Sequence, residues 1–154
     1  MAADEAYLII RGLRTLDVRL KQHYENTKAV INFLKKQKKI KEILYPHKPG
    51  TKNYKLWKKY YKGANGLFSI VIKTKKKSSV VRFVNSLKLF GIGYSWGGFE
   101  SLVLLQELRG NTKYTKKRSF FRFGKDEHIV RLHIGLEDPK DLIEDLKKSL
   151  RYVK

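Results

Sequence analysis

The N-terminal part of the chain carries apolar residues at steps of three and four, the spacing that places side chains on one face of a helix. The members of this stripe are Leu13, Leu16, Leu20, Val30, Phe33 and Leu34. Asp4 and Glu5 stand ahead of the stripe, and acidic residues stabilise the first turn of a helix. We therefore predict mainly helix from this point to about Lys38, with Gly12 as a break that divides it in two.

Short β-branched and aliphatic runs follow, which are typical of buried strands. The clearest runs are residues 40–45, 67–73 and 129–134. Residues 109–125 are polar and basic without a clear period, so we predict a surface loop there.

Helical spacing returns three times between and after these strands. Residues 53–62 would place an aromatic stripe on one helix face, made of Tyr54, Trp57 and Tyr61. A second helix would be capped by Ser78 or Ser79 and would stop before Gly91, and a last helix would begin at Asp138.

This interleaving of helices and strands predicts an α/β fold, more fully an α+β sandwich with a small, mostly antiparallel sheet and helices packed on one face. With 154 residues, of which 42% are hydrophobic, one domain covering residues 1–154 is sufficient. No apolar run approaches the length of about eighteen residues that a membrane span needs, and Met1 is not followed by a signal-peptide pattern. We therefore expect a cytoplasmic protein without a membrane partner.

The net charge of +21 raises the question of a nucleic-acid partner. The lysines are spread through several separate elements, which favours solvated surfaces and nonspecific attraction over a dedicated site. A small basic nucleic-acid-binding protein remains an alternative. With no cysteine and four scattered histidines, the sequence offers no disulfide, no thiolate nucleophile and no metal site.

Arg131 is the most informative charged residue, because it lies inside an otherwise apolar strand. A charged group there needs an anionic partner. An internal salt bridge is one explanation, and the candidate partners are Glu100, Glu107, Glu137 and Asp138. A carboxylate ligand is the other explanation, because the guanidinium fork makes two parallel hydrogen bonds to a carboxylate.

The segment from Tyr94 to Gly98 is the second candidate. Ser95 and Trp96 would end a strand before two glycines, so that backbone N–H groups face an incoming ligand. The alternative is a plain Gly-Gly turn with Trp96 packed in the core. Because Tyr94 and Trp96 are two residues apart, both would lie on one side of an extended strand and could wall a small substrate.

The other reactive side chains suggest no catalytic role. The four histidines lack an adjacent nucleophile and are interpreted as structural or surface residues, and the lysines occur in solvated runs unsuited to a Schiff base. The segment Thr112-Lys113-Tyr114 lies in the predicted basic loop without a phosphate-binding turn.

Several spaced motifs, in order, resemble the C-terminal part of the cystathionine β-lyases, members of the Cys/Met metabolism family of pyridoxal-phosphate enzymes. They are Ala6-Tyr7, residues 11–16, Arg19, His23, Tyr45-Pro46, residues 66–69, residues 94–102 and residues 131–138. The γ-synthases and γ-lyases of this family usually have smaller residues around the glycine turn and a His-Pro-Ala-Ser-type stretch after it. Tyr94, Trp96 and the absence of that stretch favour the β-lyase type.

The resemblance implies the C-terminal fold of fold-type I pyridoxal-phosphate enzymes and a role in methionine biosynthesis by trans-sulfuration. The reaction would convert L-cystathionine to homocysteine, pyruvate and ammonia. Arg131 would bind the substrate α-carboxylate with help from Ser95 and the Trp96 backbone, and Tyr94 and Trp96 would shape the pocket for the distal part of the substrate.

The resemblance covers only part of such an enzyme: residues 1–38 would correspond to the end of the cofactor domain and residues 39–154 to the small domain. The Schiff-base lysine and the phosphate-binding turn are not found in this chain. We therefore expect a truncated chain that does not bind pyridoxal phosphate covalently and is inactive alone. It would pair with a separately encoded N-terminal half, within a family that forms homotetramers, or would be a functionless remnant.

Overall fold

The helices and strands follow the local apolar spacing closely. The computed structural model describes residues 1–106 and 123–154. Its helices are α1 (Ala3–Leu13), α2 (Leu16–Leu34), α3 (Lys52–Tyr60), α4 (Lys77–Ser86) and α5 (Pro139–Ser149), with a short 3-10 turn at Leu150–Tyr152. Its strands are β1 (Ile40–Leu44), β2 (Leu67–Lys73), β3 (Gly91–Ile92), β4 (Leu102–Gln106) and β5 (Glu127–His133). The predicted break near Gly12 is confirmed, because α1 and α2 are separate helices.

Several boundaries differ from the prediction. Neither Ser78 nor Ser79 caps α4, because the helix begins at Lys77 and the Ser79 hydroxyl instead donates to the Lys76 carbonyl at 2.7 Å. Tyr61 does not join the aromatic stripe, since α3 ends at Tyr60. Strand β4 was not predicted. Most of the predicted basic loop, residues 109–122, lies outside the described residues, and so does the segment Thr112-Lys113-Tyr114.

The strands form one five-stranded sheet in the order β1-β2-β5-β4-β3. Three pairs of neighbours are antiparallel, and only β3 and β4 run parallel, so the predicted sheet type is confirmed. Strand β5 occupies the centre, where Arg131 is aligned with Ser69 of β2 on one side and Leu104 of β4 on the other. Backbone pairing on both sides of β5 therefore fixes the position of Arg131.

One face of the sheet forms the core with α2, α4 and α5, as predicted. Its fully buried side chains include Val30 and Leu34 from α2, Val80 and Phe83 from α4, Leu142 and Leu146 from α5, and Ile70, Ile72, Val103, Val130 and Leu132 from the strands. Because side chains alternate along a strand, Arg131 and His133 lie on the opposite face from Val130 and Leu132. Helix α1 is different, because none of its residues is buried.

None of the helices that the structure describes has the length and apolar character needed to cross a membrane.

Asp145 ties α5 to the end of α4, because its buried carboxylate accepts hydrogen bonds from the backbone N–H groups of Lys88 and Leu89, each at 2.9 Å. We predict that Asp145→Ala lowers the free energy of unfolding by about 1–3 kcal/mol, because two N–H groups lose their acceptor. Urea denaturation measures this loss. The control Asp141→Ala, on the exposed side of the same helix, should cost less than about 1 kcal/mol. Equal losses in the two variants would contradict this role for Asp145.

Candidate functional site

The side chain of Arg131 meets the segment from Tyr94 to Trp96 on the sheet face opposite the core. Its guanidinium carbon lies 6.0 Å from the ring centroid of Tyr94 and 5.8 Å from that of Trp96. Its Nη2 donates a hydrogen bond to the Ser95 carbonyl at 3.3 Å. The four residues that the sequence suggested as a substrate site therefore lie together.

The internal salt bridge considered for Arg131 is not found within residues 1–106 and 123–154. The Glu137 carboxylate accepts from Ser101 instead, through the backbone N–H at 2.7 Å and the hydroxyl at 2.8 Å. The Asp138 carboxylate caps α5 by accepting from the Lys140 N–H at 2.8 Å. Glu100 makes no ion pair with Arg131 among the residues that the structure describes, and Glu107 is not one of them. Within that part of the chain, the guanidinium has no carboxylate partner.

The aromatic rings beside Arg131 are open to solvent. Tyr94 is 70% exposed and Trp96 67% exposed, so the alternative that placed Trp96 in the core is wrong. A guanidinium within about 6 Å of a ring centroid is attracted to the ring by about 0.5–1 kcal/mol at an exposed site. The two rings therefore hold the cation at a surface that a ligand can reach.

The backbone around the glycine turn differs from the prediction, because the strand before it ends earlier. Strand β3 stops at Ile92, so residues 93–96 form a non-repetitive segment instead of a strand end. Gly97 has φ +79°, which favours glycine. Among the described residues, the N–H groups of residues 95–98 donate to no partner, and such groups suit an anion.

A dense set of hydrogen bonds joins this segment to the end of β5. His133 Nε2 donates to the Gly98 carbonyl at 3.2 Å, and the Leu136 N–H donates to the Phe99 carbonyl at 2.8 Å. The Gly135 N–H donates to the Ser101 hydroxyl at 2.8 Å. The loop that carries Trp96 is thus fastened directly to the strand that carries Arg131.

Helix α2 supports the same region from its buried side. Asn26 Nδ2 donates to the carbonyls of Gly135 and Glu137 at 3.0 and 2.9 Å, and His23 Nδ1 donates to the Ile134 carbonyl at 2.7 Å. These polar residues were missed as part of the site. The sequence contained a signal for their burial. His23, Asn26 and Thr27 continue the three- and four-residue spacing of the buried stripe of α2 toward the N-terminus of the helix.

The interpretation of the histidines as structural or surface residues fits their surroundings. His23 and His133 are both buried, with ring centroids 5.3 Å apart. Burial lowers the pKa of His133, against a smaller opposing effect of the Gly98 carbonyl. His47 packs against Trp57 with ring centroids 4.0 Å apart, and burial, followed by the charge of Lys28, lowers its pKa as well.

The described residues do not form a site for a covalently held aldehyde cofactor. A lysine that forms a Schiff base needs a sheltered, charge-tuned environment. The lysines whose side chains the structure describes are exposed, apart from the half-buried Lys48. In the same residues, no group of three or more histidine or acidic side chains is placed to bind a metal ion.

A separate surface cavity of about 700 Å³ lies between the end of α4 and α5 and includes Lys88, Asp145 and Arg151 in its lining. Asp145 already accepts two backbone hydrogen bonds there, and the cavity contains none of the residues around Arg131. We therefore take the Arg131 cluster, and not this cavity, as the candidate site.

An arginine with no carboxylate partner among the described residues, beside a glycine turn on a mostly antiparallel sheet covered by helices, is consistent with the small domain of an enzyme that acts on amino acids. The sequence profile of the family described as "Cys/Met metabolism PLP-dependent enzyme" matches residues 1–151. The chain belongs to this family. The resemblance to cystathionine β-lyases and the cofactor class that it implied are thereby confirmed.

Two relatives illustrate how close the similarity is. The chain is 39% identical over 145 residues to a cystathionine beta-lyase of Escherichia coli. The matched region covers 94% of this chain and 36% of the E. coli enzyme. It is 41% identical over 149 residues to an L-alanine/L-glutamate racemase of Wolbachia pipientis, and that match covers 96% of this chain and 36% of the racemase. The chain thus spans little more than a third of the length of these relatives.

Solved structures give the same assignment. The fold matches cystathionine gamma-lyase from Lactobacillus plantarum, complexed with L-serine, with a TM-score of 0.81 and 25% identity over 99% of this chain and 39% of the other. It also matches cystathionine gamma synthase from Xanthomonas oryzae, in complex with aminoacrylate and cysteine, with a TM-score of 0.78 and 29% identity. That match covers 96% of this chain and 38% of the other. The predicted fold class is therefore confirmed.

The lowered pKa values of His47 and His133 predict a pH-dependent stability. Both folded-state pKa values lie below the ordinary 6.5, so the unfolded chain takes up protons first as the pH falls. Their contribution is complete above pH 6.5 and is lost as the pH falls through the folded-state values. Urea denaturation between about pH 8 and about pH 5 measures the profile. His47→Gln and His133→Gln should each flatten it, and a wild-type profile that is already flat there would contradict the prediction.

Proposed function

We propose that this chain is the substrate-binding C-terminal part of a cytoplasmic, pyridoxal-phosphate-dependent cystathionine β-lyase in methionine biosynthesis. The observation that carries the proposal is the position of Arg131. Within the described residues, its guanidinium has no carboxylate partner and lies between two exposed rings, near backbone N–H groups that are also without partners. This arrangement fits the α-carboxylate of an amino-acid substrate.

Each residue of the cluster has a distinct task in this proposal. Arg131 binds the α-carboxylate with both arms of its guanidinium, which fixes the orientation of the amino acid as well as its position. The N–H groups of Ser95 and Trp96 donate to the same carboxylate. The rings of Tyr94 and Trp96 form the wall for the distal part of the substrate.

The reaction requires more than this cluster. Pyridoxal phosphate supplies the electron sink for such eliminations. The described residues do not fit its covalent attachment, so the cofactor site would come from a partner that corresponds to the remaining length of the relatives. On this basis the chain is inactive alone and acts with a separately encoded N-terminal half. The resemblance to a family of homotetramers suggests that the two parts together would form a tetrameric assembly.

The surface of α1 supports the need for such a partner. Its apolar side chains Tyr7, Leu8, Ile9, Ile10 and Leu13 are between 51% and 62% exposed. A contiguous apolar surface of this kind usually marks a protein interface. We assign it to the cofactor-binding half, because the chain covers only 36% of the E. coli lyase to which it is similar.

The decisive experiment mixes the purified chain with the complementary N-terminal part of the E. coli enzyme and pyridoxal phosphate. Release of pyruvate from L-cystathionine should require both parts. Racemisation of alanine or γ-cleavage of cystathionine in the mixture would assign the chain to another member of the family. Inactivity of a folded mixture, with salt-sensitive binding to single-stranded DNA, would favour the nucleic-acid alternative, and inactivity without such binding would favour a remnant.

Arg131→Ala should lower kcat/KM of the active mixture by at least about thirtyfold, corresponding to about 2 kcal/mol for a lost charge-assisted contact to the carboxylate. Arg82→Ala, which removes an exposed arginine of α4, is the matched control and should leave kcat/KM within about twofold. Equal activity of Arg131→Ala and wild type would exclude the proposed carboxylate contact. Activity of the wild-type chain without its partner would show that the cofactor site had been misassigned.

Ile10→Asp and Leu13→Asp should each weaken association with the N-terminal part by at least about tenfold, since each places a charge where an apolar side chain would be buried. Leu56→Asp on α3 is the control, because Leu56 is 56% exposed but lies on another helix. Isothermal titration calorimetry compares the three dissociation constants. If the α3 variant weakened association as much as the α1 variants, α1 would not be the specific interface.

A further inference from the structure

We propose that Ser101 and Glu137 are positioning residues that set the distance between Arg131 and the Trp96 loop, by which we mean residues 95–101. This inference rests on the proposed function, because it concerns the same carboxylate-binding site. Neither residue touches the site: each acts through the backbone that carries a site residue. We call their contact the Ser101–Glu137 clamp.

The clamp is a two-point hydrogen bond between a serine and a carboxylate. The Ser101 N–H donates to Glu137 Oε1 at 2.7 Å, and the Ser101 hydroxyl donates to Glu137 Oε2 at 2.8 Å. The same hydroxyl accepts from the Gly135 N–H at 2.8 Å. Ser101 is fully buried and Glu137 is half-buried, so the Gly135 contact is buried and the two contacts to Glu137 are partly shielded from water. Charged acceptors in such surroundings make stronger and more directional hydrogen bonds than neutral ones.

The position of the clamp along the chain explains why it would control the site. Ser101 follows Ser95 by six residues, and Glu137 follows Arg131 by six residues. Arg131 contacts the Ser95 carbonyl at 3.3 Å. The Arg131–Ser95 contact therefore fixes the start of the Trp96 loop, and the Ser101–Glu137 clamp fixes its end. Between them, His133 holds the Gly98 carbonyl at 3.2 Å. The Trp96 loop is therefore attached at its start and middle to β5 and at its end to the segment that follows β5.

Close backbone packing strengthens the attachment. A Cβ atom added at Gly135 would contact the Phe99 carbonyl oxygen and the Glu137 carboxylate, and would lie 2.6 Å from the carbonyl carbon of Glu100. Only glycine therefore allows the loop to come this close to the segment after β5. Asn26 supports the other side of that segment through the Gly135 and Glu137 carbonyls.

The clamp also has an electrostatic effect. Glu137 is one of the acidic residues that could have paired with Arg131, but both of its carboxylate oxygens are engaged by Ser101. A carboxylate whose two oxygens each accept a hydrogen bond from the same residue is held in one orientation. The clamp thus keeps an acidic side chain of the same chain away from the guanidinium, which leaves that cation available to a substrate carboxylate.

The test uses the full chain with Trp57→Phe, so that Trp96 is the remaining tryptophan. NMR then records NOEs between the Trp96 ring and the Arg131 side chain, together with the ring-current shift of the Arg131 protons. Ser101→Ala and Glu137→Gln should each abolish the NOEs and move the Arg131 shifts toward random-coil values. Ser86→Ala and Glu144→Gln, which remove a partly buried hydroxyl and a half-exposed carboxylate elsewhere, should change neither.

A purely structural role would lower the urea midpoint of both clamp variants and leave the NOEs intact, and that result would overturn the proposal. If Ser101→Ala fails to fold, Glu137→Gln, which keeps the shape of the side chain, decides the matter alone. In the mixture with the N-terminal part, both clamp variants should raise KM for L-cystathionine by about tenfold or more, with a smaller change in kcat.

The two proposals fail in distinguishable ways. Lost NOEs in the clamp variants, combined with a wild-type mixture that does not act on amino acids, would retain the clamp and reject the proposed function. Intact NOEs and an unchanged KM in an active mixture would reject the clamp and retain the function.

Discussion

The alternation of side chains along β5 is the constraint on which both the core and the site depend. Val130 and Leu132 face the helices, while Arg131 and His133 face the opposite side. Because β5 is paired on both edges, a shift by one residue would bury a guanidinium in the core and expose two apolar side chains. The energy that holds the hydrophobic core together therefore also holds Arg131 in register with the Trp96 loop.

Elements with a strong local pattern could be predicted from the sequence. The separation of α1 from α2, the strand around Arg131 and the Asp138 cap of α5 all depend on residues close together in the chain. Strand β4 was not predicted, because an apolar run of five residues does not by itself distinguish a strand from a buried helix segment. The serines near α4 show a different limit: their hydroxyls had several possible partners, and only the structure shows which one is used.

The site was predictable only in part, for the same physical reason. Arg131, Tyr94 and Trp96 could be identified because a charge in an apolar strand and aromatic residues beside glycines are unusual in themselves. Ser101 and Glu137 carry no such signal, since each is an ordinary polar residue and their partnership spans 36 positions. Long-range hydrogen bonds of this kind depend on how the sheet brings β4 and β5 together, which local spacing does not specify.

Helix α1 has a thermodynamic consequence for any partner that covers it. It has 11 residues and buries none of them in its own chain. Isolated helices shorter than about 12–15 residues are marginally stable in water. Binding would then include the completion of folding in this helix, so part of the interaction energy is spent on ordering it. Such coupling gives a larger negative heat-capacity change than rigid docking does, and it makes the association with such a partner depend on temperature.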